Sequence, residues 1–479
     1  MNLKKWIITS FIVFAVLAIS SCTMVNKSQS TLDTPEVTFA VTDSMQSKCY
    51  DGEGNVMSEW PKENEDYYGQ DAQTENLIPS YTDNGDNTVT DNHTGLMWQK
   101  TPPTSKMTFK EAEEYIENLS LAGYSDWRLP TIQESFSIAN LDGKLDVQNI
   151  DNAVPYLDSN YFDFYYDEVK PYTGSYWTSS STVLMEDLGD TEDTMAKDYG
   201  FNWADGHLKS YANGYSVSGG DYAFSIPAGV RAVRGEEGVF GANDYENNED
   251  GTVTDNATNL MWSQSDAGYG MDWNQALKYA ENSTLAGYSD WRLPTPKELQ
   301  SLVEYEKKTI PAIDETYFSL SVADCYVWTS TTCGDFPEMA DYVTFGHGWG
   351  IEVKSGDITP MDASSSDKMG PPPEESKEEE TTTKTAQDAT LSDFQDVHGP
   401  GCIRADYKYG TAPELSQAFY EQITEEAYPG AEWNYSLNGQ IFTDQDGDND
   451  VDEFDLTNSE NAADFIVIYN RVMLVRNSD

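Results

Sequence analysis

Basic side chains are scarce in this chain. Its 479 residues carry 28 Lys and Arg against 83 Asp and Glu, a formal net charge of −55. A surface so acidic repels phosphate backbones and other anionic polymers unless a cation bridges the two, which excludes nucleic acid as a partner. Histidine is scarcer still, with four residues, and no Cys-x-x-Cys pair occurs, so the usual donor sets of a zinc site are missing. After the N-terminal run no stretch is long and apolar enough to span a bilayer. The chain is nonetheless not a disordered one. Hydrophobic residues make up 38% and aromatics 13%, enough for a sizeable core in two or three domains. The acidity suits a solvated exported protein, in salty surroundings or in the company of divalent cations.

What is present begins with an export signal. Lys4 and Lys5 precede a short apolar run, and Ile19-Ser20-Ser21-Cys22 fits a lipobox in which Cys22 is acylated on sulfur and becomes the mature N-terminus. Residues 1–22 are therefore expected to be a lipoprotein signal peptide. Thr23 and Met24 do not include the Asp that retains bacterial lipoproteins at the inner membrane. The expected location is the outer membrane, at the cell surface or on the periplasmic face, with membrane contact through the lipid anchor only. Residues 23–80 read as a tether, within which VTFAV (37–41) is patterned as one strand. Cys49, Cys325, Cys333 and Cys402 form an even set, which in an oxidising compartment favours two disulfides among three connectivities. Cys325 and Cys333 could close a local loop; Cys49 with Cys402 would then staple the N-terminal segment to the C-terminal one.

The organisation is set by a repeat. LAGYSDWRLPT occurs at 121–131 and again at 285–295. At the same offset Thr88–Asn92 recurs as Thr252–Asn256, and Leu96-Met97-Trp98 as Leu260-Met261-Trp262. Between these blocks each copy has apolar residues at helical spacing: Phe109, Ala112, Ile116 and Leu119 in one, Trp273, Ala276, Leu277 and Ala280 in the other. Thr108 and Asp272 are the expected N-caps. Trp177-Thr178-Ser179 pairs with Trp328-Thr329-Ser330, both Trp expected to be buried on strands. The first copy closes on Val230-Arg231-Ala232-Val233-Arg234-Gly235, and the matching segment of the second is Val472-Met473-Leu474-Val475-Arg476. Two tandem domains follow, 81–236 and 244–477. The second is interrupted by a disordered acidic loop at 360–392, rich in Pro, Glu and Thr, and by an insert at 410–460.

The repeated motif is itself a fold element. Thr131 with Glu134, and Thr295 with Glu298, are capping boxes, and Pro296 sits at the first helical position, where no N–H is needed. Leu299, Leu302 and Val303 give the second copy's helix its apolar face. Arg128 and Arg292 are placed to pair with a nearby carboxylate. The stretch contains no His or Cys, so a catalytic role has no nucleophile or base to rest on.

Residues 444–455 read DQDGDNDVDEFD. Oxygen ligands at positions 1, 3, 5, 7, 9 and 12 of a twelve-residue loop wrap a calcium ion. Asp444, Asp446, Asp448, Asp450, Asp452 and Asp455 fill those positions, Asp450 through its backbone carbonyl, in a pattern resembling a dockerin or EF-hand loop. The expected cofactor is Ca2+. The stretches around Asp86 and Asp250 lack the closing carboxylate, with His93 and Ala257 at position 12, and read as β-hairpin turns.

NGDNTVTDNHTGLMWQK, LAGYSDWRLPT, YWTSS and VRAVRG resemble the blocks of the Lcl C-terminal domain family, named for a Legionella collagen-like surface adhesin, and KCYDGEGN, YYGQDA and DVHGPGCIRADYK fit its wider pattern. The resemblance implies an α+β fold: two tandem C-type-lectin-like domains, each with two helices packed on short antiparallel strands. It also implies binding outside the cytoplasm, to a glycan, a surface polymer or a protein. The charge of −55 departs from an adhesin for anionic polymers and turns the expectation toward neutral sugar or protein. RLPT-x-x-E also resembles the formylglycine-generating branch of that fold. Its chemistry uses a Cys pair, and Cys325 and Cys333 have no counterparts in the first copy, so the chain is expected not to be an enzyme. The alternative is a structural cell-envelope component in which the calcium loop serves only stability.

Overall fold

The computed structural model describes residues 39–147, 149–167, 171–182, 195–216, 227–238, 240–351, 394–396, 398–410, 468 and 470–478. The first copy runs β1 (Tyr81–Asp83), β2 (Thr88–Asp91), β3 (Met97–Gln99), α1 (Phe109–Glu117), α2 (Ile132–Ser137), β4 (Ser175–Thr182), β5 (Met195–Asn202), β6 (Leu208–Ser216) and β7 (Val233–Arg234). The second runs β8 (Tyr245–Asn247), β9 (Thr252–Asp255), β10 (Leu260–Ser263), α3 (Trp273–Glu281), α4 (Pro296–Leu302), β11 (Tyr326–Thr332), β12 (Met339–Thr344), β13 (Trp349–Ile351), β14 (Phe394–Asp396), β15 (Ile403–Tyr407) and β16 (Val475–Asn477). This is an α+β architecture in which, among the described residues, every strand pair is antiparallel.

Each copy opens with a hairpin whose turn the sequence specifies. Gly85 (φ 76°) and Asn87 (φ 70°) take the left-handed backbone that the β1–β2 turn requires. Asn84 donates to the hydroxyls of Thr88 and Thr90 at 2.9 and 3.0 Å, and Asn248 does the same to Thr252 and Thr254. Asp86 and Asp250 accept from the Thr88 and Thr252 hydroxyls at 2.6 Å, so these carboxylates serve the turns. Thr108 caps α1 with a full capping box, and Asp272 caps α3.

In each copy a strand from far along the chain completes the opening sheet. The orders are β1-β2-β3-β7 and β8-β9-β10-β16. Trp98 stands opposite Val233, and Trp262 opposite Val475. Both Trp side chains are fully buried.

The remaining long strands of both copies form one six-stranded sheet, ordered β11-β12-β15-β6-β5-β4. The third strand of one copy meets the third strand of the other, antiparallel, at Ile403 and Leu208. Helices α2 and α4 meet at the same joint. Side chains from both copies, Trp98 and Phe136 with Trp262 and Leu299 among them, belong to one hydrophobic core.

Residues 39–80 differ from the expected tether. They are built into the body: the Phe39 N–H donates to the Ala257 carbonyl, Leu141 N–H to Ser44, and Tyr67 N–H to the Asn274 side chain. The Gln46 amide exchanges two hydrogen bonds with the Thr332 backbone, at 2.7 and 3.0 Å. The described part of VTFAV forms no strand; beyond it Thr42 makes a single parallel bridge to Leu77. The segment is held by backbone and amide groups, which leave no apolar periodicity to read.

The cysteines also differ from expectation. Cys49, Cys325, Cys333 and Cys402 are buried free thiols. Cys325 and Cys333 stand at opposite ends of the extended β11, roughly 25 Å apart at the rise of a strand, whereas a disulfide needs Cα atoms within about 7 Å. Cys402 precedes β15, while Cys49 lies by Lys408 at the other end of that strand.

Candidate functional site

The polar side chains of the repeated motif converge on two tasks. Inside each copy, Arg128 donates through both terminal nitrogens to Glu134 at 2.6 Å, and Arg292 to Glu298 at 2.7 and 2.6 Å. The same carboxylates accept the N-cap N–H of Thr131 and Thr295 at 2.8 Å, completing the capping boxes. One carboxylate thus caps a helix and neutralises an arginine. Glu134 and Glu298 are essentially buried, so this pairing excludes water. The Trp127 and Trp291 indoles donate to Leu121 and Leu285 across the turn.

The second task faces solvent. Tyr124 and Asp126 hold Arg234, delivered by β7. The guanidinium carbon lies 3.8 Å from the Tyr124 ring centroid, and Asp126 accepts from Nε and Nη2 at 3.0 and 2.9 Å. This carboxylate, through its hydrogen bonds, raises the arginine's pKa, and its own is lowered in return. Tyr288, Asp290 and Arg476 repeat the arrangement, with 4.0 Å from ring to guanidinium and 2.8 Å from Nε to Asp290.

At the joint, the Lys297 ammonium is buried and donates to Thr42 Oγ1, the Asp43 carbonyl and the Ser137 carbonyl at 3.1, 3.0 and 3.0 Å. Burial pushes its pKa down to about 8, against the pull of Asp43, Asp91 and Asp71. Its counterpart in the first copy is Gln133. Both line a small pocket of about 20 Å³, the size of a single water, between α2, α4 and the 39–42 segment, walled by Phe39, Phe136 and Phe240. All three ammonium protons are committed, so Lys297 acts as a staple among three segments.

Differences between the copies show how neighbours redirect an equivalent strand position. In the first copy Ser180 Oγ accepts the Ile132 N–H at 2.9 Å. The second copy has Pro296 there, with no N–H, and Thr331 instead donates its hydroxyl to buried Asp71. Burial raises the Asp71 pKa to about 6, with the hydrogen bonds from Thr331 and Ser44 opposing. Nearby, Lys408 lies between the rings of Trp273 and Tyr50, 4.6 and 5.5 Å from their centroids, and burial pushes its pKa down to about 7.

Trp177 and Trp328 are fully buried, their indoles donating to the Met107 and Met271 carbonyls at 2.9 and 2.8 Å. Cys22, the six calcium-loop aspartates from Asp444 to Asp455, the loop 360–392 and the insert 410–460 beyond Gly410 lie outside the described residues. Among the described residues no group of three or more His, Cys, Asp and Glu side chains is arranged to hold a metal ion, and no helix is long and apolar enough to cross a membrane. Nothing local in the sequence marks Arg234, and the signal for Lys297 is its divergence from Gln133 at the equivalent repeat position.

The Lcl C-terminal domain family matches residues 87–218 and again 251–369, slightly more than half of the chain. No curated protein and no solved structure matches.

Proposed function

The chain belongs to the Lcl C-terminal domain family, and from that membership we propose that it is a binding or adhesion protein acting outside the cytoplasm. On this reading the ligand is an uncharged glycan or surface polymer, and Cys22 carries the lipid that anchors the protein to the outer membrane. Domains 81–236 and 244–477 are C-type-lectin-like, and the loop 444–455 holds a structural Ca2+. The observation that carries the reading is the joint: one sheet and one core run through both copies, fixing their surfaces at a constant separation. A body of that kind suits recognition of an extended polymer better than turnover of a small substrate. The net charge of −55 disfavours sulfated or phosphorylated ligands.

The test is a glycan array probed in calcium and in chelator. Binding to uncharged glycans in calcium supports the proposal. No binding in either condition, together with a large calcium-dependent rise in Tm, supports the structural envelope role instead. Turnover abolished by a single-site change would overturn both readings.

A further inference from the structure

Tyr124 is an unusual exposed aromatic. It is 41% exposed, yet it is fixed in place. One side of its ring carries the Arg234 guanidinium at 3.8 Å, and that guanidinium is clamped by two hydrogen bonds to Asp126. The clamp itself reaches water: the Asp126 side chain is 62% exposed and that of Arg234 22%. Gly123, next to Tyr124 in the chain, has no atom within 4 Å of where a Cβ would stand, so the backbone beside the ring is open.

From this geometry we infer that Tyr124, Asp126 and Arg234 form a subsite for one uncharged sugar ring, an inference that rests on the proposed glycan-binding function. A pyranose presents an apolar C–H face and a rim of hydroxyls. The free face of Tyr124 takes the C–H face, since an aromatic ring offers large apolar area at the cost of two side-chain torsions. Asp126 keeps lone pairs free to accept hydroxyl protons, and the rim of the guanidinium donates. Because the three groups already hold one another, little ordering cost remains to be met on binding. An anionic sugar would meet the exposed Asp126 carboxylate and is disfavoured.

The second copy repeats the residues with narrower access: Tyr288 is only half-buried and Gly287, like Gly123, has open space beside it, but the arginine is sealed. The Arg476 side chain is 3% exposed, and Ser478 bonds to Asn259, the counterpart of Gly95, through backbone and side chain. The subsite therefore belongs to the first copy, and Tyr288 provides an internal control.

The experiment uses the full chain on an array of uncharged hexose and N-acetylhexosamine oligosaccharides, comparing wild type with Tyr124→Ala, Tyr124→Phe and Tyr288→Ala at matched Tm. Tyr124→Ala should weaken binding by about tenfold or more, the scale of losing a central aromatic contact. Tyr124→Phe, which keeps the ring, and Tyr288→Ala should bind as wild type. Wild-type binding that Tyr124→Ala leaves unchanged overturns the subsite and spares the glycan reading. Absence of binding by wild type overturns both.

Discussion

Ile403 and Leu208 face each other at the one ladder position where two three-stranded sheets become one. Each belongs to the third long strand of its copy, so the copies meet as equivalent partners do in a two-fold dimer, here within a single chain. So short a ladder contributes little by itself. The shared core, the contact of α2 with α4 and the Lys297 staple carry the rest.

The staple has a pH signature. Folded Lys297 releases its proton near pH 8, below the ordinary 10.5 of the unfolded chain. Between those values the unfolded state binds more protons, so this group's contribution to stability rises with pH, at about 1.4 kcal/mol per unit. Denaturant titrations of wild type and Lys297→Met should show wild type gaining on the variant from about pH 8 upward. A difference that stays flat through pH 10 would contradict the assignment.

Asp335 should behave with the opposite sign. It accepts the Leu145 N–H at 2.6 Å and the Tyr156 hydroxyl at 2.9 Å, linking the two copies, and burial raises its pKa from 3.8 to about 8. The folded chain holds this proton after the unfolded chain has lost it. The associated stability is full below pH 3.8 and is lost as pH rises toward 8. Relative to Asp335→Asn, wild type is expected to weaken between pH 5 and pH 8, on the order of 1.4 kcal/mol per unit. Parallel unfolding curves at the two pH values check it.

Removing the shared carboxylate of either junction should be costly. Glu134→Ala and Glu298→Ala each leave a largely buried arginine without its partner and also open a capping box. The expected loss is about 3–5 kcal/mol per site, the range for breaking a buried pair from one side. Guanidinium unfolding monitored by tryptophan fluorescence measures it, and a loss under 1 kcal/mol would show the pair to be dispensable.

The thiols give a chemical check. Burial pushes the Cys49 pKa up to about 11 and those of Cys325 and Cys333 well above the ordinary thiol value. All four described cysteines should resist a thiol reagent in native protein and react fully in denaturant without reductant. Fewer reactive groups in denaturant would reveal a disulfide.

The features legible in the sequence were local or fixed by the repeat. Thr131 and Thr295 with their Glu partners announce capping boxes three residues apart, and the offset between copies points from Val233 to Val475 across a long interval. What escaped was set by contacts with no sequence spacing. Residues 39–80 show no apolar period because Gln46 and Ser44 hold them through polar groups. The cysteine count suggested pairs, whereas the length of β11 keeps Cys325 from Cys333. Tyr124 and Asp126 lie inside the repeated motif in plain view, but their partner Arg234 is 108 residues from Asp126, and only the closing strand brings it there.

That closing strand also imposes an order of events. The first copy has all its described sheet strands once residue 234 has emerged, whereas β10 waits for residues 475–477. During synthesis the second copy therefore spends the longer time unsealed, with Trp262 unprotected along one edge. The finished first copy, exposing β6, is the natural template on which it assembles.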